Sequence, residues 1–291
     1  VAVVTVEEVS GRAAFKRFFE FAYVQFRDEP RWSPPLVSYA RKQIDPHHRF
    51  FDQGDGEYFL ARRGGQVAGR ITAHVAAKGD EQGWFGFFDA SDDPTVTADL
   101  IGRAADWLRE HGCTTVTGPA SFMPADDPGV LVEGFDVAGT TGRPWHPPWY
   151  ADHLDAVGLA RTLESRTWRL PTPHELGVVT PVITGVTTPS WKGNGMVGRF
   201  ADHRLVLPGI VAVPDLTPAR NSAIALARRA KRNDWEGCTI VEVDADGEPA
   251  ELVPQLQSAA SAAGYQWVVS PWSPDAAAPP ETVHARFTTP L

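Results

Sequence analysis

The sequence predicts an α/β fold with mixed (α+β) sheets, built as two related units, and three observations carry that expectation. The first is the stretch from Gly83 to Gly134. Its aromatic block Trp84-Phe85-Gly86-Phe87-Phe88 has the length and turn-bounded character of a buried strand. Asp92, Asp93 and Pro94 then mark a helix start, with acids and a proline where the first turn needs them. Leu100, Ile101, Ala104, Ala105 and Leu108 recur at helical spacing, Gly112 stops the helix, and Thr114-Thr115-Val116-Thr117 is β-branched. Strand, helix and strand over about thirty residues make a right-handed parallel crossover. The second observation is that a strand, two helices and a hairpin precede this crossover. The third is that a similar strand-helix-strand run recurs from Cys238 to Val269.

The elements follow in order. Val1 to Val9 alternates as a strand, and Ser10 is placed to cap the helix whose apolar stripe is Phe15, Phe18, Phe19, Ala22, Tyr23 and Phe26. That stripe suits packing on a sheet, or the lining of an acyl tunnel. Arg31 to Pro35 breaks the chain, and Pro35 to Ile44 forms a second helix. The loop Asp45-Pro46-His47-His48-Arg49-Phe50-Phe51 follows. Tyr58 to Ala61, the turn Gly64-Gly65 and Val67 to Val75 read as a hairpin. After the crossover, Pro147-Pro148-Trp149-Tyr150 opens a helix ended by Gly158, and Leu163 to Leu170 is a closing strand. Pro171 to Trp191 is rich in Pro, Thr and Gly, as linkers are. The expected organisation is a domain over 1–170, a linker over 171–195 and an abbreviated second unit over 196–291. In that unit Leu205 to Asp215 is a hairpin, Asn221 to Arg232 a basic helix, Cys238 to Val243 a strand, Pro249 to Ala263 a helix and Gln266 to Val269 a strand.

The composition, 43% hydrophobic and 22% charged over 291 residues, is that of a soluble globular protein. No apolar run approaches the roughly eighteen residues of a membrane span, and no signal-peptide pattern opens the chain. Two cysteines, Cys113 and Cys238, each leading into a β-branched run, point to reduced thiols and a cytoplasmic location. They do not make a zinc site, and no histidine pair at ligand spacing supports them. A formal charge of −9 disfavours a general nucleic-acid binder.

The strings RWSPPL, DPHHRFFDQGDGEYFLARRGGQVAGRITA, FGFFDASDD, AADWLREHG, TGPASF, GVLVEGFD and PPWYADHLDAVGL occur in that order. Together they resemble a family of bacterial proteins with the GCN5-related N-acetyltransferase (GNAT) fold, over Arg31 to about Leu170. The resemblance implies an acyl-CoA N-acyltransferase fold whose mixed sheet opens between the fourth and fifth strands, where a thioester sits. The second crossover then implies a pseudo-duplicated tandem. The implied activity is amide formation on a small amine from an activated acyl donor. The alternative is a non-catalytic ligand-binding module that kept the fold.

Candidate site residues come from segments that this fold would place near the opening. Glu133, flanked by apolar residues, and His47 are candidate bases. The resemblance implies that Tyr150 protonates the leaving thiolate. His48, Arg70, Phe122, Asp126, Asp127 and Trp149 are candidate substrate-binding residues, the two aspartates suiting a cationic amine or acting as solvated turn acids. GNAT enzymes hold coenzyme A on a glycine-rich turn between the fourth strand and the next helix. Here that turn reads Asp89-Ala90-Ser91-Asp92-Asp93-Pro94, with three carboxylates where phosphates would sit. Each such like-charge pair costs about 1 kcal/mol even in water. No tightly bound cofactor is therefore expected, with acyl-CoA or another acyl thioester as co-substrate. An acyl carrier protein or an aminoacyl-tRNA is the other donor, met by a basic helix face at Arg228, Lys231 and Arg232.

Overall fold

A computed structural model of the chain describes residues 2–35, 37–122, 128–139, 143–171, 211–213, 223–228, 237–244, 253–254, 257, 267–270, 273, 275 and 277–291. The chain divides into two compact units. The first comprises Val1–Ala138, Trp145–Glu164 and His284–Leu291; the second comprises Gly139–Pro144 and Ser165–Val283.

The first unit has the predicted order. Strand β1 (Val4–Glu8) leads to α1 (Gly11–Gln25) and α2 (Val37–Gln43). A 3-10 turn, Arg49–Asp52, precedes the meander β2 (Asp55–Arg63), β3 (Gln66–Val75) and β4 (Gln82–Ala90). Helix α3 (Pro94–Glu110) crosses over to β5 (Thr115–Gly118), which lies parallel to β4. Strand β6 (Val130–Glu133), α4 (Trp149–Ala156) and β7 (Ala160–Pro171) follow, the residues of β7 from Ser165 onward belonging to the second unit. The apolar stripe read on α3 is the buried one, with Val96, Leu100, Ile101, Ala104, Ala105 and Leu108 all buried. The α1 stripe goes to the core as well: Phe18 and Phe19 pack with Ile44, Tyr58, Leu60 and Phe122. Ser10 stands at the N-cap of α1 with extended backbone, but its side chain makes no capping hydrogen bond.

The neighbour of β5 on its far side was not legible in chain order. It is β12 (Thr282–Pro290), antiparallel to β5 with Phe287 opposite Gly118, and β6 also pairs with β12. The chain's last strand thus completes the first unit's sheet. It is secured by Phe287, which has no solvent exposure, and by the Thr117–Thr288 hydroxyl pair at 2.8 Å.

In the second unit, β10 (Gly237–Asp244) and β11 (Trp267–Ser270) lie parallel, as a crossover requires. Strand β8 (Val211–Val213) pairs with β9 (Ala223–Arg228), and β9 pairs with β10, both antiparallel. Here the helix expected over Asn221 to Arg232 is corrected. Ala223-Ile224-Ala225-Leu226-Ala227 alternates small and large apolar residues, a period of two that suits a strand inside a sheet. Of the basic face that argued for a carrier-protein or tRNA donor, Arg228 ends this strand, while Lys231 and Arg232 lie outside the described residues. The 171–195 linker also lies almost wholly outside them. Of the helix expected over Pro249 to Ala263, only Val253, Pro254 and Gln257 are described, and these are helical.

Candidate active site

The candidate site lies where β4 and β5 part. They pair only through Gln82–Trp84 and Thr115–Thr117, after which β4 runs on to Ala90 paired with β3 but not with β5. The chain beyond β5 turns through a cis Gly118–Pro119 peptide, and Ala120 N–H donates to the Phe85 carbonyl at 2.8 Å. On its other edge β4 carries a bulge. Arg70 lies opposite Asp89 and Thr72 opposite Gly86, so Phe87 and Phe88 together face Ile71. Phe87 adopts φ 45°, a left-handed conformation that costs a bulky residue energy. Bulges of this kind re-aim side chains beside active sites. Gly86 is required by space: a methyl group there would collide with the Ala120 carbonyl.

Phe122 fills the centre of this region. Its ring stacks on Phe50 at 4.8 Å and meets Phe51, Phe87, Tyr58 and His74 edge-on between 5.1 and 6.0 Å. Against it lies His74, and Thr72 stands two residues earlier on the same face of β3. Both are essentially without solvent exposure. The Thr72 hydroxyl has no hydrogen-bond partner, while the His74 ring meets the Ser121 backbone. Burial holds His74 down to about 3, the Ser121 backbone opposing it, so the ring is neutral at physiological pH.

A second polar group lies at the end of β4. The Arg70 guanidinium binds Asp89 Oδ2 at 2.6 and 2.8 Å and donates to the Phe18 carbonyl at 2.9 Å. The Tyr150 hydroxyl donates to Asp89 Oδ1 at 3.2 Å and accepts the Ala90 N–H at 3.0 Å. Burial raises Asp89, while Arg70 and the Tyr150 hydrogen bond lower it. Burial and the adjacent Asp89 push Tyr150 well above the ordinary phenol range.

The turn into α3 caps itself. Asp93 accepts the Thr95 N–H at 3.0 Å, and Arg63 binds the same carboxylate. Although desolvation opposes it, the Arg63 bond and the backbone N–H groups hold Asp93 below the usual carboxylate range. The helix N-terminus that would attract a phosphate already holds a carboxylate of its own.

The other sequence candidates scatter around this core. Glu133 ends β6 and is exposed. His47 is exposed on its loop, while His48 Nδ1 accepts the Phe50 N–H at 3.1 Å and its ring lies 6.0 Å from Phe122. Trp149 is half-buried, with an indole N–H that has no partner. Asp126 and Asp127 lie outside the described residues. Arg70 and Tyr150 come together on Asp89; Phe122 and His48 come together near His74. Thr72, His74 and the Gly86-Phe87 bulge lie beside the parting strands and were not among the sequence candidates. The available signal was Thr-x-His on one face of an otherwise apolar strand.

No family model matches the chain. Across its whole length the fold is similar to that of a tandem GNAT protein from the clavulanic acid biosynthesis pathway. That likeness has a TM-score of 0.58 at 14% identity and covers 99% of this chain and 98% of the other. The fold is that of the GNAT acetyltransferases. A putative acetyltransferase from Pyrococcus horikoshii shares this GNAT fold with a TM-score of 0.50 at 10% identity, covering 99% of this chain and 89% of that one. By sequence, the chain is 34% identical over 158 residues to protein YghO of Escherichia coli, covering 53% of this chain and 40% of that protein. It is 32% identical over 167 residues to the bacterial ceramide synthase of Caulobacter vibrioides, covering 55% of this chain and 44% of that protein. The chain thus spans less than half the length of the curated relatives it matches. Among the described residues, no helix of this GNAT fold is long and apolar enough to cross a membrane.

Proposed function

We propose that this chain carries an N-acyltransferase site that joins an acyl group from a thioester to an amine. The observation that carries this reading is the parting of β4 and β5 beside the Phe87 bulge, which opens the sheet where a thioester would enter. In the reaction, the amine nitrogen attacks the thioester carbonyl, a C–N bond forms and the C–S bond breaks. The amine proton passes to a base, for which Glu133 and His47 are the candidates. The thiolate leaves with a proton, the part the resemblance implied for Tyr150. Acyl-CoA is the co-substrate in this reading, held with little help from the self-capped α3 turn.

A ceramide is a fatty acyl amide of a long-chain amino alcohol. The similarity to a protein named ceramide synthase therefore supports a long-chain amine as acceptor, beside the small amine suggested by the sequence. The test supplies hexadecanoyl-CoA with either sphinganine or ethanolamine, and follows thiol release and amide formation by mass spectrometry. Amide formation dependent on the amine is the expected result. Thioester binding with no amide from either amine would instead identify a non-catalytic binding module.

A further inference from the structure

The two helical layers of the first unit carry opposite charge. Tyr58 on β2 meets Phe18 of α1 edge-on at 5.3 Å, while the next residue, Phe59, lies under the Arg103 guanidinium of α3. Successive strand residues point to opposite faces, so α1 and α3 cover opposite sides of the sheet. Helix α2 lies beside α1, with the Arg41 guanidinium 5.0 Å from the centre of the Phe19 ring. Helix α4 lies beside α3, where His153 meets Thr97 at 3.3 Å. On α1 and α2 the exposed charged residues are Arg12, Lys16, Arg17, Arg41 and Lys42, all cations. The one acid there, Glu20, is half-buried and pairs with Lys16 at 3.8 Å. Arg12, Arg17, Arg41 and Lys42 have no carboxylate partner among the described residues, although the chain as a whole has a formal charge of −9. On α3 and α4 the exposed charges are Asp99, Asp106, Arg109, Glu110, Asp152 and Asp155, five acids to one cation.

We infer that the outer face of α1 and α2 docks on an anionic membrane surface. Each cation near such a surface strengthens attachment by about fivefold. The acidic layer of α3 and α4 is repelled by the same field, which turns the α1–α2 face towards the lipid. Apolar anchors stand on the cationic face: Val24 in the last turn of α1 is 62% exposed, and Val37 at the start of α2 is 47% exposed. Aliphatic side chains beside cations suit the boundary between headgroups and acyl chains. A single-stranded nucleic acid would instead call for exposed aromatic faces. The exposed large apolar residues among those described are Val3, Val24, Val37 and Leu163, none of them aromatic. This inference goes beyond the acyl-transfer reading and stands without it. Under that reading, docking brings the enzyme to the phase in which a long-chain amine and its amide dissolve.

The experiment sediments the whole chain with vesicles of phosphatidylcholine alone, or of phosphatidylcholine with about a third phosphatidylglycerol, at low salt and at about 0.5 M salt. Binding to the anionic vesicles at low salt is expected to be at least about tenfold tighter than to the neutral ones, and to be lost in high salt. Arg41→Ala with Lys42→Ala should weaken it by about tenfold or more. Arg12→Ala with Arg17→Ala should do the same while leaving Arg41 on Phe19 in place. Lys78→Ala with Arg109→Ala makes an equal change of net charge outside α1 and α2, and should shift binding by less than about twofold. No binding at low salt, equal binding to both vesicles, or an equal loss in the Lys78 and Arg109 pair overturns the proposal. Tighter binding to a uridine oligonucleotide than to the anionic vesicles also overturns it, and gives the face to nucleic acid. The measurement uses neither acyl donor nor amine. Docking without turnover therefore keeps the membrane face and rejects acyl transfer, while turnover without docking does the reverse.

Discussion

Tyr150 on α4 gives its hydroxyl hydrogen to Asp89 at the end of β4, and takes the Ala90 N–H in return. That one hydroxyl ties α4 to the sheet and satisfies a carboxylate already held by Arg70. Removing it leaves a buried carboxylate oxygen and an N–H less well paired. Tyr150→Phe should therefore cost about 1–3 kcal/mol of stability in urea unfolding. Arg70→Ala should cost more, roughly 3–5 kcal/mol, because it abandons a buried charge. The double variant Arg70→Met with Asp89→Leu should be less destabilised than Arg70→Ala alone. Equal losses in the two would show that the ion pair is not coupled.

Asp93 does two jobs at the start of α3, capping the helix and binding Arg63. Asp93→Ala should lower stability by roughly 1–2 kcal/mol, the usual scale for a lost cap. The same carboxylate occupies the place of a phosphate. Calorimetry with acetyl-CoA should detect no micromolar binding to the unaltered chain, and tighter binding once Asp92 and Asp93 are both changed to Gly. Micromolar affinity in the unaltered chain would refute the charge argument.

His74 is held neutral by burial, with its folded value near 3 against about 6.5 in an unfolded chain. The folded state therefore binds fewer protons between these values. Its stability is fully present above about pH 6.5 and is lost as pH falls towards 3. His146, also lowered by burial, to about 4, acts in the same direction. Between pH 7 and 4.5 the parent should lose about 2–3 kcal/mol more than His74→Leu, which carries no titrating ring. Parallel pH profiles for the two proteins would place the loss on other groups.

Glu133 is exposed at the end of β6, so its substitution should leave folding intact. As the proposed base, Glu133→Gln should lower amide formation by about 10²-fold with little change in thermal midpoint. Full activity in Glu133→Gln, with a loss in His47→Ala, would move the base to the histidine loop.

The order of the first unit was legible because each element advertises itself locally. The α3 stripe, the Gly64-Gly65 hairpin turn and the aromatic β4 block are patterns within a dozen residues, and local periodicity follows from backbone geometry. The helix expected over Asn221 to Arg232 gives way to a strand because Ala223 to Ala227 alternates with a period of two. A strand's stability comes from neighbours distant in sequence, which a local reading does not contain.

By itself, then, the sequence determined the mixed α/β class, the crossover at residues 84–117 and the acidic turn at 89–93, each a property of adjacent residues. Tertiary structure alone decided that the last strand pairs with β5, that Tyr150 and Arg70 converge on Asp89, and that the buried His74 ring meets Phe122. The physical reason is that register and burial are set across strands 19 to more than 170 residues apart in the chain, from Arg70 and Asp89 to Thr117 and Thr288. No local period encodes which side chain meets which across such distances.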